Sequence, residues 1–443
     1  MMHKPLVAVF FSLFCGTLQA ADLLEMYRAA AENDPIYAAA RATREAGQEK
    51  KAQGLAGLLP SLSLSGVTQW NDNQSEPRNL PAARSDRQYN THSYQLSLVQ
   101  PLFRWQNWVA YDQAKLQTGQ AEANFALAQQ ELILRVAQAY FDVLYASENL
   151  AAVRANKEAI AQQLALAQKS FEVGTSTITD THEAQARHDL VIAQELAAES
   201  ELEVRQAALA ALIGQEAGPL APPRADLALE NPSPKRLQDW LSAAEAEALT
   251  VQVQRLQAEI AGREVDKQRA GHYPTLDLVA NRGKSKNFAA NTGMVDTDSS
   301  NVGVQLNVPL YQGGLVASRQ REAAANRQAA QAGLEAARRN ATLAARQYYL
   351  GVSSGLAQVK ALQAALRSSQ SALESNKLGY EVGVRINIDV LNAENQVYVT
   401  RRDLAKATFD TLLAQLRLKA AVGRLGEEDV LSLNALLDPA QAR

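Results

Sequence analysis

Cysteine is almost absent from this sequence of 443 residues, and the single one, Cys15, lies close to the N-terminus. We expect Cys15 to be removed with an export signal, which leaves a mature chain without thiols. Such a chain can form no disulfide and supports no thiol chemistry. An exported chain of this kind must gain its stability from side-chain packing and from assembly.

Aromatic residues and an excess of charge of one sign are also lacking. Aromatic side chains make up 6% of the residues, and 44 basic against 47 acidic side chains give a formal net charge of −3. The basic residues are scattered, so no basic face is predicted that would bind a nucleic acid. Ala, Gln, Leu, Glu and Arg are abundant, which is typical of long helices and coiled coils.

Long hydrophobic runs are missing as well. The apolar run Leu6–Phe14 is too short to cross a bilayer as a helix. It follows the basic Lys4 and precedes small residues around Ala20, which predicts a secretory signal peptide over residues 1–20. A transmembrane anchor is the less favoured alternative for this segment.

Proline is absent from two long stretches. No proline occurs between Pro101 and Pro219, or between Pro309 and Pro439, and strong helix formers dominate both stretches. A segment rich in proline separates them and predicts a linker. The predicted divisions are a signal peptide at 1–20, a first repeat at 21–218, a linker at 219–236, a second repeat at 237–426 and a C-terminal tail at 427–443.

The two halves repeat the same order of helix, two extended segments and long helical run, which indicates an internal duplication. Apolar and polar residues alternate in the extended segments, which predicts strands. Each predicted strand has about the length that crosses a bilayer when tilted. A four-stranded sheet outside a membrane remains the alternative. The predicted strands are 60–71, 91–103, 274–284 and 300–311.

A membrane location would require several chains in one barrel. Strands in lipid must close into a barrel, because an open edge leaves backbone groups without hydrogen bonds. About eight strands are the practical minimum for closure, and four cannot close.

The helical runs carry apolar residues at alternating steps of three and four. This spacing predicts the seam of a left-handed coiled coil, which Lys157 alone interrupts in the first run. A helix from Phe103 to Phe171 would be roughly 100 Å long. The first seam comprises Leu132, Val136, Ala139, Val143, Ala146, Leu150, Val153, Ile160, Leu164, Ala167 and Phe171, and the second comprises Val352, Val359, Leu366, Leu373 and Tyr380.

One ten-residue stretch occurs twice, as FEVGTSTITD at 171–180 and as YEVGVRINID at 380–389. Gly174 and Gly383 can adopt the left-handed conformation that ends a helix. The aspartates that follow suit the positive end of a returning helix. We therefore expect both stretches to be the tips of long helical hairpins.

Together, the signal peptide, the duplication, the four strands and the two tips resemble the TolC family of outer-membrane channel-tunnels. The stretch VGRLGEEDVLSLNALL at 422–437 adds to the resemblance. The resemblance implies a mainly α-helical fold with a membrane β part. Three chains would form a homotrimer with a 12-stranded barrel in outer-membrane lipid and an α-helical tunnel in the periplasm.

The same resemblance implies a passive exit duct without catalytic chemistry, metal or cofactor. A periplasmic adaptor protein would join it to an inner-membrane transporter of the ABC or RND type. The cargo would be proteins, as in type I secretion, or small toxic compounds and drugs.

The resemblance also assigns a gate at the hairpin tips. Tyr380 and Arg385 of the inner hairpin would bond to Thr179 and Asp180 of neighbouring outer-hairpin helices and hold the tunnel shut. Arginine and tyrosine are suitable donors to a carboxylate. The residues alone also allow a plainer interpretation, with Tyr380 in the coiled-coil seam and Arg385 as a solvated charge.

Two further sites follow from the resemblance. Asp389 would face the trimer axis and form a constriction that attracts cations. The second constriction position is Asn392 here, so we expect weaker cation selectivity than the family pattern implies. The predicted adaptor-docking residues are Val173, Gly174, Val382 and Gly383, although Gly174 and Gly383 are equally compatible with simple turn glycines.

Two other functions compete with the exit duct. A structural or adhesive coiled-coil protein of the cell envelope would have no pore and would not need the duplicated strands. A periplasmic enzyme would need a nucleophile with its base, or a set of metal ligands, and the sequence predicts neither.

Overall fold

The computed structural model describes residues 21–75, 78, 85–224, 227, 229–289 and 293–438. The predicted signal peptide lies outside the described residues. So do positions 225, 226 and 228 of the predicted linker and residues 439–443 of the predicted tail.

The chain is mainly helical and contains one small sheet, so this part of the predicted fold class is confirmed. The two proline-free stretches contain the longest helices, of 68 and 67 residues. The helices are α1 (Leu23–Asn33), α2 (Pro35–Ala56), α3 (Trp105–Glu172), α4 (Ile178–Ile213), α5 (Leu237–Glu247), α6 (Leu249–Arg269), α7 (Leu315–Glu381), α8 (Asn387–Ala421) and α9 (Glu427–Asn434). The strands are β1 (Ser61–Ser75), β2 (Ser85–Phe103), β3 (Thr275–Ala289) and β4 (Gly293–Asn307).

The four strands form one antiparallel sheet in the order β1-β2-β3-β4. The central pairing of β2 with β3 joins the two sequence repeats. Within the described residues, β1 and β4 each pair with one neighbour only, so both edges of the sheet carry backbone groups without a strand partner.

The strands differ in extent from the predicted ranges. The strands continue into polar sequence near both hairpin connections. Backbone hydrogen bonds between neighbouring strands form there regardless of the side chains. At the other end, β4 stops at Asn307, whereas the prediction continued to Tyr311. Pro309 has no N–H to donate to a ladder, which accounts for the earlier end.

The contacts divide the chain into two compact units, each built from segments of both repeats. One unit consists of the chain up to Ala40, Ala126–Leu249 and Arg339 onwards. The other consists of Arg41–Phe125 and Thr250–Arg338 and contains the sheet. No helix among the described residues has the length and apolarity needed to cross a membrane.

The core of the first unit contains large aromatic side chains of α3. Tyr140 and Phe141 are fully buried, and the ring of Phe141 stacks on Phe409 of α8 with centroids 5.5 Å apart. The Tyr140 hydroxyl donates to the carbonyl oxygen of Ala221 at 2.8 Å. Burial raises the pKa of Tyr140 far above its usual value, so the hydroxyl remains a donor.

The predicted linker takes part in this unit. Leu220 bridges to Ala21 in parallel and Pro223 bridges to Leu437 in antiparallel. The predicted linker therefore holds Ala21, just before α1, and the region after α9 through backbone pairing.

The coiled-coil seam continues along α3, α4 and α8 in the same unit. Its buried members pack as one cluster, which brings α8 of the second repeat against the α3–α4 hairpin of the first. The cluster comprises Leu150, Val153, Ile160, Leu164, Ala167, Ala184, Val191, Ala198 and Leu391. Phe171 was expected to close this seam but is 44% exposed, because α3 ends one residue later and the chain turns away.

The charge that interrupts the predicted seam has a partner on α4. The ammonium group of Lys157 pairs with Glu195, which also accepts a bond of 3.3 Å from Arg154. The apolar series can therefore pass Lys157 without leaving an unpaired charge.

In the second unit, a pair of charged side chains joins the start of a helix to a neighbouring strand. Arg104, between β2 and α3, donates two hydrogen bonds of 2.7 Å to the carboxylate of Asp277 on β3. Asp277 is only 7% exposed, whereas the Arg104 side chain is 40% exposed, so the bidentate pair covers the carboxylate and leaves the guanidinium partly in solvent. Along α2, Gly47 and Gly54 lie so close to α3 that added Cβ atoms would lie 2.2 Å and 2.6 Å from alanine Cβ atoms.

Candidate functional site

The outer hairpin turns between α3 and α4 around Gly174. Its φ of +79° lies in the left-handed region, which glycine adopts without strain. The backbone N–H of Gly174 donates to Phe171, and that of Thr175 donates to Ser170 at 2.8 Å. These bonds satisfy the last carbonyls of α3 and close the tip.

The inner hairpin turns in the same way between α7 and α8. Gly383 also has a φ of +79°. The N–H groups of Val384 and Arg385 both donate to the carbonyl oxygen of Gly379, at 2.9 Å and 3.0 Å. The repeated sequence motif thus gives two tips with matching backbone geometry.

Asp180 fixes the start of α4. Its Oδ2 accepts hydrogen bonds from the Ser176 hydroxyl at 2.7 Å, the Thr177 hydroxyl at 3.0 Å and the Thr177 N–H at 3.1 Å. The Thr177 hydroxyl accepts in turn from the Asp180 N–H, which completes a capping box. The bonds from Ser176 and Thr177 hold the pKa of Asp180 below its usual value.

The second carboxylate oxygen of Asp180 is left for another donor. Among the described residues, every hydrogen bond to this side chain ends on Oδ2 and none on Oδ1. The adjacent Thr179 is exposed. The outer tip therefore presents an ionised acceptor to a partner.

Arg385 of the inner tip is a donor that is only weakly engaged. Its guanidinium lies 3.6 Å from the carboxylate of Asp389, four residues further along, and its side chain is 59% exposed. Tyr380 lies half-buried in the last turn of α7. Within the described part of one chain, no hydrogen bond or ion pair joins these two inner-tip residues to Thr179 or Asp180.

Gly379 also shapes this tip, although it was not among the predicted site residues. A Cβ at Gly379 would lie 2.7 Å from Cγ of Arg385. The glycine thus allows the arginine side chain to cross the last turn of α7. Its place four residues before Gly383, inside a helical run, was the available signal.

Asn392, predicted to face the trimer axis, contacts the outer hairpin of its own chain. Its Oδ1 accepts a hydrogen bond of 3.2 Å from Arg187 on α4. Sequence reasoning missed Arg187, because only the fold brings it near a residue 205 positions away. The same region contains an ion pair of 2.9 Å between the partly exposed Lys377 and the buried Glu394.

The predicted docking residues form an apolar rim at both tips. Val173 is 74% exposed and Val382 is 65% exposed, and Val384 and Ile386 extend the inner rim. Gly174 and Gly383 have nothing within 4 Å of the position of an added Cβ, so the surface at both turns is open.

A comparison with known proteins identifies the family. The family model described as outer membrane efflux protein matches residues 26–215 and 240–424. The chain belongs to this family. The resemblance and the outer-membrane location inferred from the sequence are confirmed.

Relatives of this outer membrane efflux protein match over nearly its full length. Outer membrane protein TolC of Vibrio cholerae is 35% identical, over 99% of this chain and 100% of the relative. The alkaline protease secretion protein AprF of Pseudomonas aeruginosa is 34% identical, over 97% of this chain and 91% of the relative.

Solved structures share the fold. VceC of Vibrio cholerae superposes with a TM-score of 0.76 at 22% identity, covering 90% of this chain and 96% of that one. The CmeC outer membrane channel of Campylobacter jejuni superposes with a TM-score of 0.77 at 16% identity, covering 99% of this chain and 98% of that one. The family consists of transport channels and not of enzymes, and nothing supports the alternative of a coiled-coil protein without a pore.

Proposed function

We propose that this outer membrane efflux protein acts as a homotrimer, with twelve strands in one barrel. The support lies in the sheet, which has two unpaired edges and many exposed apolar side chains on one face. An open edge is not tolerated in lipid, and four strands are too few to close. Three copies of an even-stranded sheet keep every pairing antiparallel, because β4 of one chain then runs opposite to β1 of the next.

The trimer serves as a passive exit duct. An inner-membrane transporter of the ABC or RND type supplies the energy, and a periplasmic adaptor protein joins the two. The apolar rims at the hairpin tips, including Val173 and Val382, suit such an adaptor. Relatives named for protease secretion and others named for efflux support a cargo of proteins, small toxic compounds or both.

The observation that carries the proposal is the complementarity of the two hairpin tips. One tip presents the unused Oδ1 of Asp180 beside Thr179. The other presents the exposed guanidinium of Arg385, near Tyr380. In the closed trimer, we expect Arg385 and Tyr380 to bond to Thr179 and Asp180 of adjoining helices and to hold the tunnel shut.

Asp389 supplies the inner constriction. Three copies of this carboxylate around the axis would raise the local cation concentration. Asn392 adds no charge, and its bond to Arg187 holds it against α4. We therefore expect moderate cation selectivity, which Asp389→Asn should reduce and Asn392→Asp should increase.

Single-channel conductance of the mature protein in planar bilayers tests the gate. The wild type should conduct weakly, and the double variant Tyr380→Phe, Arg385→Ser should conduct several times more. Removing one or two partly exposed charge-assisted bonds per chain weakens the closed state by about 1–3 kcal/mol, enough to shift its population at least fivefold.

A matched control applies the same chemical changes elsewhere on α7. Tyr348→Phe, Arg367→Ser should conduct like the wild type. Equal conductance of the wild type and the tip variant would refute the gate and leave the pore. No conductance from any variant would refute the exit duct itself.

A further inference from the structure

One face of the sheet changes character along its length. Even-numbered residues of each strand share this face, because side chains alternate and the register pairs even with even. Near the helices the face is mainly apolar, and Gln100 of β2 is a polar exception. Its members there are Leu62, Leu64, Leu96, Leu98, Leu276, Leu278, Ala280, Val302, Val304 and Leu306.

Toward the hairpin connections the same face becomes charged, with three basic residues on β3 and two aspartates on β4. Arg282, Lys284 and Lys286 follow Ala280 at alternate positions of β3, and all three are exposed. Among the described residues, none of the three side chains makes a hydrogen bond or an ion pair within 4.0 Å, although Lys284 and Lys286 lie opposite aspartates of β4. The three cationic groups can therefore reach a partner outside the chain.

Exposed aromatic residues accompany this change. Tyr94 lies directly opposite Lys284 and is 63% exposed, and Trp70 on β1, which pairs with Asn90 four residues nearer to the hairpin connection, is 68% exposed. Exposed Tyr and Trp are typical of the boundary between hydrocarbon and headgroups. Lys286 lies ten residues beyond Leu276, which is about 34 Å along the strand and about 26 Å along the barrel axis at a tilt of about 40°. The apolar band of an outer-membrane barrel is about 25 Å tall, so Lys286 reaches its edge, and the long side chains of Arg282 and Lys284 can extend toward it.

We propose that Arg282, Lys284 and Lys286 bind the phosphate groups of membrane lipids at the outer edge of this band. This inference rests on the proposed function, in which the sheet spans the outer membrane. Arginine can bind a phosphate through two parallel hydrogen bonds, and lysine acts as a point charge. Alternate residues are about 7 Å apart along a strand, so the row suits a headgroup with more than one phosphate.

Two carboxylates determine on which side of the three basic residues a phosphate can bind. Asp298 and Asp296 of β4 lie opposite Lys284 and Lys286 and repel phosphates on that side. On the β2 side the same lysines face Tyr94 and His92. His92 Nδ1 lies 2.9 Å from the Thr68 hydroxyl. We expect the phosphates to bind between β2 and β3, where side chains that can donate hydrogen bonds adjoin the cations.

Titration of the purified full-length protein in detergent with diphosphoryl lipid A tests the inference, with native mass spectrometry counting bound lipid. The patch variant Arg282→Gln, Lys284→Gln, Lys286→Gln should bind at least about fivefold more weakly, since one basic residue near an anionic surface contributes about that factor. Asp296→Asn, Asp298→Asn should bind more tightly, which a folding defect would not produce.

A control variant removes three cations outside the sheet. Arg319→Gln, Arg321→Gln, Arg327→Gln on α7 should bind like the wild type. Monophosphoryl lipid A should bind the wild type more weakly than the diphosphoryl form. Inorganic phosphate at matched concentration should not displace the lipid, and displacement would point to a simple anion site and overturn the lipid assignment.

Two kinds of failure are distinguishable. If the wild type inserts into vesicles and conducts while the patch variant binds lipid A equally well, the lipid site is refuted and the exit duct stands. If the wild type does not float with vesicles after reconstitution, the membrane-spanning sheet is refuted together with the lipid site.

Discussion

At the scale of single residues, the tips depend on side chains that each have several roles. Asp180 uses one carboxylate oxygen to cap α4 and leaves the other for a partner. Its carboxylate form is favoured by the bonds from Ser176 and Thr177, which lower its pKa. The capping contribution is therefore fully present above about pH 4, the unfolded value, and declines as the pH falls through the lower folded value.

Replacing this carboxylate should loosen the start of α4. Asp180→Ala should cost about 1 kcal/mol locally, typical for a lost helix cap, and raise amide exchange over residues 178–181 about fivefold. Exchange rates corrected for intrinsic pH dependence would measure the effect. The amide exchange of the wild type should approach that of Asp180→Ala as the pH falls below about 4.

Asp189→Ala is the matched control, because Asp189 lies within α4 and, among the described residues, its side chain accepts a hydrogen bond only from Gln185, at 2.8 Å. It should leave exchange at residues 178–181 unchanged. Unaltered exchange in Asp180→Ala would contradict the capping role.

At the scale of elements, helix pairs are held at distances that only small residues allow. Gly47 on α2 lies against Ala121 of α3, where an added Cβ would lie 2.2 Å from the alanine Cβ. Glycine lowers helix propensity, so this close approach must offset a cost of about 1 kcal/mol. A similar close approach occurs at Gly54, seven residues further along α2, where an added Cβ would lie 2.6 Å from the Cβ of Ala114.

Two glycine substitutions should therefore act in opposite directions. Gly47→Ala should lower the free energy of unfolding by about 1–3 kcal/mol, because α2 and α3 must move apart. The methyl group added by Gly262→Ala on α6 would meet open space. This substitution should raise the free energy of unfolding by up to about 1 kcal/mol. Denaturant unfolding followed by circular dichroism would compare them, and stabilisation by both would contradict the close contact.

At the scale of the whole molecule, we propose that the edges at β1 and β4, which have no strand partner among the described residues, pair with other copies of the chain. The single cysteine, Cys15, lies in the predicted signal peptide, so disulfide trapping can test this proposal. Ser65→Cys on β1 can be combined in turn with Ser299→Cys, Asn301→Cys or Gly303→Cys on β4. These positions share one face of the sheet, because Ser65 and Ser299 lie in the same cross-strand row.

One member of this series should form covalent trimers on oxidation. Gels without reductant should show bands of two and three chains that collapse to one on reduction. Ser65→Cys alone should remain monomeric on the gel. Absence of a three-chain band from every combination would contradict the shared barrel.

The long helices and the hairpin tips followed from the sequence, because local features specify them. Proline-free runs permitted α3 and α7, and the turn glycine at Gly383 marked a helix end. Alternation of apolar residues located all four strands. These signals act within a few residues of the chain, where backbone sterics and hydrogen bonding dominate.

The tertiary structure decided the partners of these elements. It paired Lys157 with Glu195, placed Asn392 against Arg187 and extended the strands into polar sequence. It also left one oxygen of Asp180 for an outside donor. Such contacts join residues far apart in the chain, and periodicity reports which face of an element is apolar but not which side chain will lie opposite it.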